Sequence, residues 1–246
     1  MKTIRCILVA IFLCVIISCI PKSRENDLFR EGLKGNVLSI RVIKYDAIEK
    51  NGVIEKGVVR FSYCTLYTKN GEKIETTWYD SIGQLYAIEK YTYNNNGNMI
   101  EKGWYDSKEI VTNRKELIYD NKGNKITENL YNSENELTDI YQYTYNLKEN
   151  LIEYTHIYDE GKGYKYKYTH NNNGNIIEEN VYDLEGKLVN KLKYVYNANG
   201  NIIKEVSYNW AQKLEYLYKY TYDAYGNEIE SDSWSVSQVR DRKSVV

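Results

Sequence analysis

The stretch YTYNNNGNMIEKGWYD, residues 91–106, is a hairpin written in side chains. Tyr91 and Tyr93 alternate with Thr92, the period-two pattern of a strand with one apolar side. Asn94 opens a turn, because an Asn or Asp side chain at that position bonds its own backbone two residues on, and Gly97 near the end tolerates positive φ. This chemistry suits a type I turn with a glycine bulge, closing a three-residue loop between antiparallel strands. Asn94 then faces Asn98, and counting down an unbroken ladder sets Tyr93 against Met99 and Tyr91 against Glu101.

Working outward, the motif recurs as YTHNNNGN from Tyr168, with His170 in the second tyrosine place, as YVYNANGN from Tyr194 and as YTYDAYGN from Tyr220. The turn glycines fall at Gly71, Gly97, Gly123, Gly174, Gly200 and Gly226, with Glu149 standing in once, so the steps are 26, 26, 26, 25, 26 and 26. A fixed period of this length marks a repeat architecture. Each period holds a second, looser turn after Tyr79, Tyr105, Tyr131, Tyr158, Tyr182 and Tyr208, giving half-units of about 13 residues, each with a strand of about 30 Å. Fifteen strands can be counted between Gly35 and Trp234.

The fold expected is all-β: tandem antiparallel hairpins forming a long, twisted and curled meander, either an open spiral or barrel-like, because open sheets beyond about ten strands curl or split. Pro21 is the one proline, so nothing in the repeats interrupts a ladder. Residues 71–234 form the array. Residues 35–70 read as an atypical capping unit, since Gly35 to Gly71 spans 36 residues and the segment from Asp46 to Gly57 reads as a longer connection.

One face collects most of the tyrosines, of which the chain has 27 against three phenylalanines. The candidate binding face comprises Tyr91, Tyr93, Tyr143, Tyr145, Tyr194, Tyr196, Tyr220 and Tyr222, with Glu101, Glu153 and Glu178 from the fourth position after the turn. A phenol joins a flat apolar ring to a polar tip, which suits a polymer ligand, glycan or protein. The same tyrosines also read as the core of a curled sheet. The opposite face carries Lys90, Thr92, Gln142, Thr144, Lys219 and Thr221, crossed by a stripe formed by Ile74, Ile100, Ile126, Ile152, Ile177, Ile203 and Ile229.

At the N-terminus, Lys2 and Arg5 precede a short apolar run ending Ile16-Ile17-Ser18-Cys19, which resembles a bacterial lipobox. The resemblance implies a signal peptide over 1–18, diacylglycerol on Cys19, a lipidated linker over 19–34 and a membrane-anchored location in the cell envelope, periplasmic or at the cell surface. Residues 235–246 form a C-terminal tail. Processing leaves Cys64 as the one thiol, so stability has to come from the sheet.

The Tyr-Asp-x-x-Gly form, seen in YDLEGKL from Tyr182 and YDAYGNEI from Tyr222, resembles the YD repeats of the rearrangement-hot-spot (Rhs) family over residues 61–234. The resemblance implies hairpins winding into a shell, with some members described as carbohydrate-binding and some enclosing a toxin. Only the repeat fold is carried over, because this stretch is too short to wrap a closed shell. An immunity or accessory protein for such a toxin is a further reading.

With 33 basic and 34 acidic residues, becoming 31 and 34 once Lys2 and Arg5 leave, the chain has no basic excess for nucleic acid. His156 and His170 occupy different places in the repeat and join no ligand-spaced cluster. Identical repeats also offer no pair of carboxylates in contrasting environments. The expectation is a protein that is not an enzyme and needs no metal or cofactor, acting as a binding module or a structural scaffold.

Overall fold

The turn chemistry read from residues 94–98 is realised closely in the structure, a computed structural model that describes residues 26–236. The Asn94 N–H donates to the Asn98 carbonyl at 2.9 Å, and the Gly97 N–H to the Asn94 carbonyl at 2.8 Å. Asn94 Oδ1 accepts the N–H of Asn96 and of Asn98, each at 3.0 Å. Asp120, Asn146, Asn171, Asn197 and Asp223 repeat this pattern. Gly97 sits at φ +69°, where an L side chain is strained, and Glu149 holds the same conformation at +63°.

The second turns are the same turn rather than looser ones. Asp80, Asp106, Asn132 and Asn209 each accept from the backbone two and four residues on. Their left-handed position is filled by Gly83, Glu109, Asn135 and Gln212. Glycine was therefore a partial signal of a turn that occurs every half-unit. The exception is the 3-10 turn Asp159–Gly161, a shorter loop that accounts for the single step of 25.

A short helix, α1 (Asp27–Arg30), precedes fifteen strands: β1 (Ser39–Lys50), β2 (Val53–Tyr67), β3 (Lys73–Tyr79), β4 (Leu85–Tyr93), β5 (Met99–Asp106), β6 (Val111–Tyr119), β7 (Lys125–Tyr131), β8 (Leu137–Tyr145), β9 (Leu151–Tyr158), β10 (Lys162–His170), β11 (Ile176–Asp183), β12 (Leu188–Tyr196), β13 (Ile202–Asn209), β14 (Leu214–Tyr222) and β15 (Glu228–Ser235). They form one antiparallel meander in chain order, curled but not closed. Of the two expected shapes, the open one is found.

Three further expectations change. The segment from Asp46 to Gly57 is not a connection: β1 and β2 run through it to the tight turn at Asn51-Gly52. Since β3 pairs only as far as Ser62, residues 53–61 project past the sheet as a two-stranded arm with Val53, Ile54 and Val58 at 61%, 76% and 70% exposure. Residues 26–31 are not a free linker, because α1 docks on the first turn: the Leu28 N–H donates to the Gly71 carbonyl at 3.1 Å, Asn26 Nδ2 to the Asn70 carbonyl at 2.6 Å, and the Lys73 N–H to Asp27 at 2.8 Å. The signal peptide, Cys19 and residues 237–246 lie outside the described residues.

The third change concerns register. Tyr93 does face Met99, but Thr92 faces Glu101 and Tyr91 faces Lys102, so Ile100 is a bulge residue without a partner. An equivalent shift follows the turns into β7, β9, β11, β13 and β15. Each bulge moves later side chains by one place, which flips their side of the sheet. Counting by twos from Lys102 puts Ile100 with the tyrosines, so the isoleucine stripe belongs to that side.

Both sides of the sheet bury little. The buried apolar residues are Leu28, Tyr67, Ile88, Leu117, Val181 and Val206, and no large side chain falls below 2% exposure among the described residues. The sheet is a single layer. Half-buried residues alternate with exposed ones along β8, β12 and β14, and the half-buried set is the tyrosine side.

Candidate functional site

Every tyrosine of the expected face lies on that half-buried side, but the set divides by what each phenol touches. The second tyrosine of the motif is bonded to the backbone. Tyr145 donates to the Lys125 carbonyl at 3.0 Å, Tyr196 to Ile176 at 2.6 Å and Tyr222 to Ile202 at 2.8 Å, each reaching 20 residues back. Tyr119, absent from the expected set, does the same to Met99 at 2.8 Å. The accepting carbonyl belongs to the first bulge residue, which lies past the last β5–β6 pair, Glu101 with Glu116. The phenol thus serves a carbonyl that the bulge displaces from the ladder.

Tyr93 also has a bulge 20 residues before it, at Lys73-Ile74, but its phenol donates to Asp27 at 2.6 Å. The same carboxylate oxygen takes the Lys73 N–H, so α1 completes the end of the array. Tyr67 likewise bonds Glu31. Burial first, and then these carboxylates, push the phenols of Tyr67 and Tyr93 well above the ordinary tyrosine range.

The first tyrosine of the motif faces side chains. Tyr91 donates to Glu89 at 2.5 Å, and Glu89 also accepts Trp104 Nε1 at 3.1 Å and pairs with Lys102 at 3.0 Å. Burial pushes the Glu89 carboxyl up, but those bonds outweigh it and hold it below the usual range. Tyr143 lies against Tyr154, with ring centroids 5.3 Å apart, and under Lys125 Nζ at 4.6 Å. Tyr194 faces Glu205 across the ladder, and burial raises the Tyr220 phenol.

Glu101, Glu153 and Glu178 are not part of this surface. The bulges place them opposite Thr92, Thr144 and Thr169, on the other side. There they meet cations: Arg114 at 3.5 Å from Glu101, Lys165 at 3.3 Å from Glu153 and Lys191 at 2.8 Å from Glu178. These pairs are half-exposed, so solvent screening limits what they contribute to stability.

The residues that do join the tyrosines come fifth after the turn: Lys102, Glu128, Tyr154, Glu179 and Glu205. In β8–β10 they build an aromatic band. Tyr154 contacts Tyr141, Tyr143 and Tyr166 at centroid distances of 6.2, 5.3 and 5.3 Å, while His156 stacks on Tyr141 at 4.3 Å and lies 2.8 Å from Asp139. Burial raises the phenols of Tyr141, Tyr154, Tyr166 and Tyr168. Beside the band, burial and then repulsion from Glu205 hold the Glu179 carboxyl above the usual range, and neither carboxylate has a cation within ion-pair distance among the described residues. No second layer of secondary structure covers the band among the described residues. The one-residue shift at each turn was the missing step; with it, Tyr154 and His156 could have been placed from the sequence.

Among the described residues, no group of three or more His, Cys, Asp or Glu side chains is placed to hold a metal ion, and no helix is long and apolar enough to cross a membrane. Cys64 is a free, half-buried thiol.

No family model and no curated protein matches this chain. Solved structures do match. The Tc holotoxin pore of Photorhabdus luminescens is similar at TM-score 0.54 and 18% identity, over 82% of this chain and 11% of that one. A TcdB2-TccC3-Cdc42 structure matches at TM-score 0.56 and 18% identity, with the same 82% and 11%. The chain thus spans 11% of the length of these two structures. At this identity the likeness shows the fold alone, a long sheet of antiparallel β-repeats.

Proposed function

We propose that this chain is a cell-envelope lipoprotein, held to a membrane through diacylglycerol on Cys19, whose repeat sheet binds a glycan polymer without catalysis. The observation carrying this reading is the aromatic band of Tyr141, Tyr143, Tyr154, His156 and Tyr166, half-buried and uncovered on a single-layer sheet. Tyrosine rings offer flat apolar surfaces to the C–H faces of sugars, and their hydroxyls remain polar. Glu179 and Asp139 supply acceptors for sugar hydroxyls at the margins. A band crossing three adjacent strands spans about 10 Å, so it fits successive units of a chain.

The test is retention of the full chain on insoluble chitin, cellulose and peptidoglycan. Tyr154→Ala and Tyr166→Ala should each lower retention on at least one of these about tenfold or more. Tyr145→Phe, which loses a bond to the backbone, should unfold at lower temperature yet retain normally. Failure of the unchanged chain to bind any of the three, or equal retention by the alanine variants, contradicts the reading. Anchoring is tested separately: Cys19→Ser should move the protein from the membrane fraction to the soluble one.

A further inference from the structure

Among the described residues the open meander leaves two unpaired edges, and their charges differ. β15 carries Glu228, Glu230 and Asp232, which oppose pairing of this edge with itself. β1 reads SIRVIKYDAIEK and is exposed along most of its 12 residues. Among the described residues it pairs with β2 alone. Four of its five charges are arranged as a palindrome about Tyr45: Arg41 and Lys44 stand four and one residues before it, and Asp46 and Glu49 stand one and four after, while Lys50 at the end of the strand pairs with Glu55 at 3.2 Å.

From this arrangement we propose that β1 is a dimerisation edge, pairing antiparallel with β1 of a second copy about a two-fold axis through Tyr45. In that register Arg41 faces the second copy's Glu49, Lys44 faces Asp46, Val42 faces Ile48, Ile43 faces Ala47, and Tyr45 faces Tyr45. Each pair joins opposite charges or apolar side chains, the combinations that favour cross-strand contact. Sliding by two residues either way places Lys44 on Lys44 or Asp46 on Asp46, so like charge disfavours the neighbouring registers. All pairs also join positions of equal parity, which keeps the tyrosine sides of both copies on one side of a continuous sheet.

Two features of the chain favour this use of the edge. Both irregularities in the β1–β2 ladder place the extra residue in β2, so β1 keeps an unbroken period of two. Arg41, Lys44 and Glu49 have no ion-pair partner among the described residues, whereas Asp46 has one exposed contact, Arg60 at 3.2 Å. The edge that natural sheets block with like charge is here charged in a pattern that accepts its own copy.

Native mass spectrometry of the full chain from nonionic detergent tests this. The unchanged chain should appear as a dimer and no larger species. Arg41→Glu with Lys44→Glu makes the four facing charges all acidic, and Asp46→Lys with Glu49→Lys makes them all basic, so each double variant should be monomeric alone. Mixed together, the two should form a one-to-one heterodimer, which unfolded variants could not do. A monomeric unchanged chain, open-ended oligomers joining β1 to β15, or failure of the mixed variants to pair would each overturn the proposal.

Discussion

A few side-chain types at fixed places hold each hairpin. An Asx carboxyl or amide oxygen takes two backbone N–H groups at nearly every turn, as Asn94 does, and a left-handed residue follows three places later. Where that residue is Glu149 or Gln212, at φ +63° and +57°, an L side chain costs about 1 kcal/mol or more relative to glycine. Glu149→Gly and Gln212→Gly should each raise the thermal midpoint by about 2–4 °C, read by calorimetry. The phenols act in the opposite direction when removed. Tyr145→Phe strands the Lys125 carbonyl and should cost about 1–2 kcal/mol, seen as a lower midpoint in denaturant at unchanged slope.

At the scale of the element, the half-unit of turn, bulge and strand is what repeats. The turns were legible because Asn, Asp and Gly announce them, and every expected turn glycine from Gly71 to Gly226 does adopt positive φ. The bulge was not legible from a plain count, because it leaves no special residue: Ile100 is an ordinary strand side chain without a partner. Its trace was the isoleucine stripe, which placed one apolar residue per period on an otherwise Thr- and Lys-rich side. Moving the stripe to the tyrosine side removes that inconsistency and carries Tyr154 and His156 into the band, while Glu101, Glu153 and Glu178 leave it. Cross-strand proton contacts in solution NMR check the register directly: Tyr91 should see Lys102, whereas contact with Glu101 would restore the unbroken ladder.

The described residues form one curled layer rather than a pair of layers round a dry core. Such a sheet keeps its tyrosines half-wet, which is why phenol outnumbers phenyl so heavily: a hydroxyl at the rim of the layer finds a carbonyl, a carboxylate or water. The β1–β2 arm and α1 escaped the sequence reading because they repeat nothing; Asp27 joins the array through the Lys73 N–H and the Tyr93 phenol that the fold brings to it. Electrostatics follow from the same layer. Glu179 and Glu205 have raised pKa values, so the folded state holds their protons more tightly than the unfolded chain; the stability linked to them is present at acid pH and is lost as pH rises through the raised values. Glu179→Gln should therefore stabilise the fold at neutral pH and make no difference near pH 4, measured by thermal melts across that range.

The tyrosines give the most direct test of the central claim, that one continuous sheet holds its phenols half-buried and bonded. Burial raises Tyr91, Tyr93, Tyr145, Tyr154 and Tyr168 together. Stability linked to them is fully present below the unfolded phenol pKa of about 10 and is lost as pH climbs above it. Ultraviolet absorbance of the phenolate, followed from neutral to strongly alkaline pH alongside circular dichroism, should show a large class of tyrosines ionising only above pH 10, in one step coincident with loss of the strand signal. Ionisation of essentially all of the tyrosines near pH 10, with the strand signal intact, would contradict the account.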